Sequence, residues 1–252
     1  DDGWDDVQRC GMGSASRDIT GDGVSEVMLT SMGDQLMQIA GPDGTYQAAP
    51  YSLGTYAQRP HIGDDGRPST GWHAEFGDVD NDGLADLFIA KGNVDQMPGL
   101  AMEDPNSLLR QKIDGSFEEV SVTAGVATMA RSRGAALADL DDDGRLDLVV
   151  VNRRAPMELY RNVTPDTGNW LRIELRAPAP NTRAVSALVS VQTASRRQVQ
   201  EVTVGGGHGG GQTGPLHFGL GAATSATVTV TWPDGAETRH EGLAKSRILL
   251  QP

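Results

Sequence analysis

From Ser14 onward, apolar residues come in short runs that Gly, Pro and Asp interrupt: EVMLTS, DQLMQIA, HAEFGDV, LFIAKG, SLLRQKI, RGAALADL and LDLVVVN. None is long enough for an amphipathic helix, and their β-branched and alternating content predicts strands. Pro42-Asp43-Gly44 and Asp114-Gly115 supply tight turns between successive runs. The first unit thus reads as a four-stranded antiparallel meander (SASRDI, EVMLTS, DQLMQIA, TYQAA), and so does the second (HAEFGDV, LFIAKG, SLLRQKI, SFEEVSV). A third offers only RGAALADL, LDLVVVN and MELYRNV before TPDTGNW leads elsewhere. The stretches 54–71 and 92–106, without strand pattern, are expected to be surface loops.

Each unit contains the same acidic loop between its first two strands. Asp78, Asp80, Asp82 and Asp86 occupy positions 1, 3, 5 and 9, with Gly83 at position 6 where the backbone must turn sharply. Asp139, Asp141, Asp143 and Asp147 repeat the pattern around Gly144, and Asp18, Thr20, Asp22 and Glu26 repeat it around Gly23. Carboxylates this close repel one another unless a hard cation lies among them, and Ca²⁺ suits flexible, oxygen-rich loops better than Mg²⁺ does. Three Ca²⁺ sites are expected, with the position 7 backbone carbonyls of Val24, Leu84 and Arg145 completing the ligand sets. An EF-hand is excluded, because position 12 is Leu29, Ile89 or Val150 rather than Glu, and a strand follows instead of a helix. The first site, with Thr20 and the longer Glu26, is expected to be the weakest. Residues 1–10 could hold the tail of a fourth loop around Gly3 and Asp6.

The loop glycines recur at regular intervals, 60 positions from Gly23 to Gly83 and 61 from Gly83 to Gly144. A unit of this size cannot bury its faces alone, and radially repeated meanders form a β-propeller. Three units with an incomplete last sheet are expected not to close a ring. Asp1 reads as internal to a longer precursor, so missing sequence or another chain would supply the remaining blades.

The chain has 252 residues, a net charge of −13, 38% hydrophobic residues, 32 Gly and 13 Pro, a loop-rich globular composition. The charge is uneven. From Trp170 onward there are 8 basic and 5 acidic residues, a surplus of +3, which leaves −16 before it. This acidic surface argues against nucleic acid as a partner, and no apolar run is long enough to span a membrane. The single Cys10 excludes an internal disulfide framework. Weak calcium loops fill at extracellular calcium levels, so a secreted, periplasmic or cell-surface location is expected.

The region from Trp170 to Pro252 follows a different pattern. LRIEL, ALVSVQT, QVQEVTV and TVTVTW alternate as half-buried strands, and Pro233-Asp234-Gly235 closes a hairpin, giving a compact β-sandwich-like module. The expected division is residues 1–168 for the blades and 169–252 for this module. FGDVDNDGLADLFIA and LADLDDDGRLDLVVVN resemble FG-GAP/VCBS repeats, the blades of integrin-α-like propellers. NWLRIEL, Asn181-Thr182-Arg183, VGGGHGGGQ, LHFGLG and VTVTWPDG, in this order, resemble the ASPIC/UnbV domain of cartilage-acidic-protein-like proteins. The resemblance implies an all-β fold, β-propeller blades followed by a small β-sandwich-like domain, with Ca²⁺ in the acidic loops. One departure is Ser186, where the family pattern has Gly.

Signals for catalysis are few. The five His residues show no zinc-binding spacing, and no nucleophile elbow or phosphate-binding loop is present. Residues 205–211 with His208 read either as a nest of backbone N–H groups for an anion or as a tightly turning loop. Asn162-Val163-Thr164 is a glycosylation sequon with Pro165 behind it. Two function classes follow. One is a calcium-binding adhesion or assembly module for a protein or glycan partner, other chains included. The other is an extracellular hydrolase or lyase acting on polysaccharide, with the propeller as scaffold.

Overall fold

A computed structural model describes residues 11–56 and 67–252 of the chain, and the candidate fourth loop lies outside them. The described residues form five β-sheets. The first is an antiparallel meander of β1 (Gly13–Arg17), β2 (Glu26–Thr30), β3 (Leu36–Ala40) and β4 (Tyr46–Ala48). The second repeats it with β5 (Gly71–Gly77), β6 (Asp86–Lys91), β7 (Ser107–Gln111) and β8 (Phe117–Glu119). The third has only β9 (Ser132–Ala138), β10 (Asp147–Asn152) and β11 (Glu158–Tyr160). These are propeller blades, and their first strands, β1, β5 and β9, pack side by side.

The run LFIA in β6 looked uniformly apolar for a structural reason: the second blade is covered on both faces. Leu87 and Ile89 pack with Met28, Met37, Leu109 and Phe117 toward the first blade, whereas Phe88 and Ala90 meet Leu148 and Val150 of the third. Successive strand residues face opposite sides, so a strand buried on both loses its polar alternation. Truncating Leu87, Phe88 or Ile89 to Ala would cost about 2–5 kcal/mol each. Among the described residues, the third blade is covered on one face only. Val151 is 51% exposed and Leu159 64% exposed, so apolar surface remains open there.

The C-terminal module contains two sheets. One places β12 (Asn169–Leu175) between β15 (Leu216–Gly221) and β18 (Ser246–Leu250); the other runs β14 (Arg197–Glu201), β13 (Leu188–Gln192), β16 (Ser225–Thr231), β17 (Glu237–Leu243). Leu171, Ile173 and Phe218 of the first sheet and Val189, Val191, Val228 and Val230 of the second share one core. The hairpin at Pro233-Asp234-Gly235 forms as expected, with Gly235 at φ 87°.

One expectation needs correction. The stretch 92–106 is not simply a surface loop: Asn93, Ala101, Asp104 and Asn106 are buried. Asn93 Nδ2 donates to the carbonyls of Met97, Leu100 and Ala101, and the Asp104 carboxylate accepts from Ser69 Oγ and Thr70 N, both at 2.7 Å, beside Lys91 Nζ at 3.6 Å. Side chains here satisfy the backbone groups that would otherwise need water, which lets an irregular segment go inside. Only part of 54–71 lies within the described residues.

Candidate metal centres and the module that covers them

All three acidic loops share one backbone design. Gly23, Gly83 and Gly144 at position 6 have φ of 94°, 90° and 85°, the left-handed region that favours glycine. The position 1 carboxylate accepts backbone N–H groups from across the turn: Asp78 from Asp82 (3.1 Å) and Gly83 (2.7 Å), Asp139 from Asp143 (3.1 Å) and Gly144 (2.9 Å), Asp18 from Gly21 (2.7 Å) and Gly23 (2.9 Å). At position 5, Asp22, Asp82 and Asp143 each accept the N–H of position 7, that of Val24, Leu84 or Arg145. The loops are therefore held in shape by the same oxygens that could ligate a cation.

The loops differ in what they gather. In the second, Asp78, Asp80 and Asp82 bring oxygens within 4.8 Å of one another, and in the third Asp139, Asp141 and Asp143 do the same. The first loop has no such triad, since Thr20 stands at position 3, with its Oγ1 3.4 Å from Glu26 Oε1. The position 9 residues lie outside the triads and clamp each loop to its sheet. Asp86 accepts from Val79 N and Gln111 N (both 2.9 Å), Asp147 from Leu140 N (3.1 Å) and Asn162 N (2.8 Å), and Glu26 from Ile19 N (2.8 Å).

Burial raises the Asp78 carboxyl well above the usual range, with Asp86 and Asp82 adding to it. Asp86 is pushed up to about 8, chiefly by burial. Desolvation also raises Asp82, Asp139 and Glu26. Ionised carboxylates crowded in a dry loop are costly without a counter-charge, and a hard divalent cation supplies one. The donor sets of the second and third loops fit such an ion.

The C-terminal module lies across these loops, which sequence reasoning had not foreseen. Asn81, at φ 60° and fully buried, anchors the second loop: its carbonyl accepts from Gly221 N (2.8 Å), its Oδ1 lies 2.7 Å from His217 Nε2, and its Nδ2 donates to Gly144 O (2.9 Å). Burial, with Arg17 and Arg172 nearby, pushes His217 down to about 3, so its imidazole is neutral. At the third loop, Arg172 Nη1 donates to Asp139 Oδ2 at 2.9 Å and to Asp142 Oδ1 at 2.5 Å. Gly219 lies so close to the second loop that a Cβ there would come within 1.9 Å of Asp78 Oδ2. The +3 surplus of the module meets the acidic loops directly. Lone Arg, Asn and Gly residues far away in sequence give no signal of such a contact.

The Gly-rich segment turns out to be a docking loop. Ser14 and Gly207 exchange backbone hydrogen bonds (3.2 and 2.8 Å), His208 N donates to His73 Nδ1 (3.2 Å), and the His208 ring packs edge-on against Trp72. A Cβ on Gly207 would strike His73.

Residues 99–150 match the FG-GAP-like repeat, and residues 177–250 match ASPIC and UnbV. The chain is similar to cartilage acidic protein 1, being 27% identical over 161 residues to the proteins of Mus musculus and Homo sapiens. These alignments cover 63% of this chain but 25% and 24% of the relatives. The Xenopus tropicalis protein is 27% identical over 129 residues, 50% of this chain and 20% of the relative. The chain thus spans about a quarter of the length of the curated relatives it matches.

Proposed function

We propose, for a chain that carries an FG-GAP-like repeat and an ASPIC and UnbV domain, the role of a secreted or cell-surface calcium-binding module that holds a protein or glycan partner. The observation that carries this reading is the pair of acidic triads on adjacent blades, roofed by the arginine-bearing C-terminal module. Calcium in the loops offsets carboxylate charge that burial makes costly, and so fixes the surface that blades and module present together. The residues that would hold it are Asp78, Asp80 and Asp82 with the Leu84 carbonyl, and Asp139, Asp141 and Asp143 with the Arg145 carbonyl. Asp86 and Asp147 tie each loop to the following strands, and the first loop, through Asp18, Asp22, Glu26 and the Val24 carbonyl, binds more weakly. Other chains that complete the propeller belong among the partners, since the third blade leaves Val151, Met157 and Leu159 open.

The test is calorimetric titration of calcium into the chelator-stripped chain, followed by a glycan array and cross-linking with and without calcium. Asp78→Ala and Asp139→Ala are each expected to remove one binding event, and partner capture is expected to need calcium. No calcium binding by the wild-type chain would sink the reading.

A further inference from the structure

Between the first strands of the three blades and the C-terminal module lies a cavity of about 700 Å³. Ligand sites range from about 300 to 1,000 Å³ and are mostly apolar, with a few polar groups that orient the guest. The walls here include Ala15, Phe76, Leu137, Ile173 and Leu216. Most of the charged side chains that line the cavity are already engaged. Glu75 accepts from Leu137 N at 3.0 Å and lies 3.1 Å from His73 Nε2. Glu174 is held by Arg176 and Arg247, Arg172 by Asp139 and Asp142, and Arg183 donates to the Thr213 carbonyl; Glu201 is solvent-exposed.

Arg17 is different. It is half-buried in the cavity wall and within reach of the charges of Asp78 and Asp18, yet it makes no hydrogen bond or ion pair with the described residues. The loop design does not require it, because the same position before the other two loops is Gly77 or Ala138. A cation bound by Asp78 would also weaken the attraction that Arg17 feels from that carboxylate. A guanidinium in such a place calls for an anion, and its planar fork matches a carboxylate.

We propose that this cavity binds a small organic anion with a single carboxylate and an apolar body, anchored by Arg17. One free guanidinium balances one negative charge, whereas a doubly charged phosphate would leave a charge unpaired against apolar walls. The proposal does not depend on calcium binding or on a macromolecular partner.

The test is ligand-observed NMR on the full chain, with benzoate and 3-phenylpropionate run beside benzamide and 3-phenylpropanamide. The carboxylates are expected to bind saturably and the amides at least tenfold more weakly. Arg17→Gln should weaken carboxylate binding at least tenfold, and Arg17→Lys should restore part of it. Circular dichroism checks that each variant is folded. Saturable binding that distinguishes carboxylate from amide, is lost in Arg17→Gln and is partly restored in Arg17→Lys supports the site. Absence of carboxylate binding, equal binding of the amides, or binding unchanged by Arg17→Gln overturns it.

Discussion

The first and second acidic loops have nearly the same spacing and very different surroundings. Residues 20–24 of the first loop are exposed, and its neighbours from the module only skirt it: the nearest atoms to a Cβ on Gly21 or Gly23 are Arg197 O at 3.9 Å and Arg197 Nη1 at 3.5 Å. In the second loop Asp78 is 2% exposed and Asn81 fully buried, gripped by His217, Gly221 and Gly144. Spacing sets which oxygens can converge. Whether their charge is tolerable, and how strongly a cation is called for, depends on what covers them.

The largest expected contrast is in calcium-linked stability. With calcium at 1,000 times Kd, one site adds about 4 kcal/mol. Asp78→Ala should abolish that increment for the second loop, and Asp18→Ala should remove much less. Denaturant unfolding with and without calcium checks it, and equal losses would erase the distinction between covered and open loops.

Next comes the contact itself. Ala at Gly219 would collide with Asp78 Oδ2 and, at 2.6 Å, with the Asn81 backbone, so Gly219→Ala should cost near the upper end of the about 1–3 kcal/mol typical of overpacking. At Gly21, φ is 82° and the nearest atom is 3.9 Å away, so Ala there costs only the left-handed strain, about 1–2 kcal/mol. Chemical denaturation of the two variants ranks them, and the reverse order would mean that the module does not rest on the second loop.

Unit by unit, a smaller effect is expected from pH. Asp86 sits at about 8 in the folded chain, against about 4 unfolded. A raised folded pKa contributes stability below the unfolded value that is lost as pH rises through the folded one. In chelator the melting temperature should therefore fall between about pH 5 and pH 8, with a slope of up to about 1.4 kcal/mol per pH unit per group. Calcium favours the ionised form and should flatten the slope, as should Asp86→Asn. A flat profile in chelator would mean that the buried loop carries no such cost.

Much of the fold was legible because blades are local. Each strand pairs with its neighbour in sequence, so turns and alternation were enough to place β1–β11. The β17 and β18 strands were harder: ETRHEGL is an edge strand whose polar alternation matches a solvated loop as well, and SRILL pairs in parallel with the distant β12. Of the candidate site, the triads followed from spacing, whereas Asn81, Arg172, His217 and Gly219 act through contacts made only when distant segments meet. Ser186 shows why a single departure from a family pattern matters, since its φ is 75°, a conformation that glycine adopts without strain. Ser186→Gly should therefore raise stability by about 0.5–1 kcal/mol in thermal unfolding. An unchanged or lower melting temperature would show that the serine is not strained.

The parallel pairing of β12 with β18, from Leu171 opposite Ser246 to Leu175 opposite Leu250, has a mechanical meaning. Tension applied between Asn169 and Leu250 pulls the two strands in opposite directions along their length, so the bonds between them are loaded together in shear instead of opening one by one. A hairpin such as β16–β17, pulled from its open ends, would unzip. Under tension this arrangement makes the C-terminal module a resistant point in the chain. Single-molecule pulling across residues 169 and 250 should give a higher rupture force than pulling across 225 and 243, and comparable forces would remove the mechanical role.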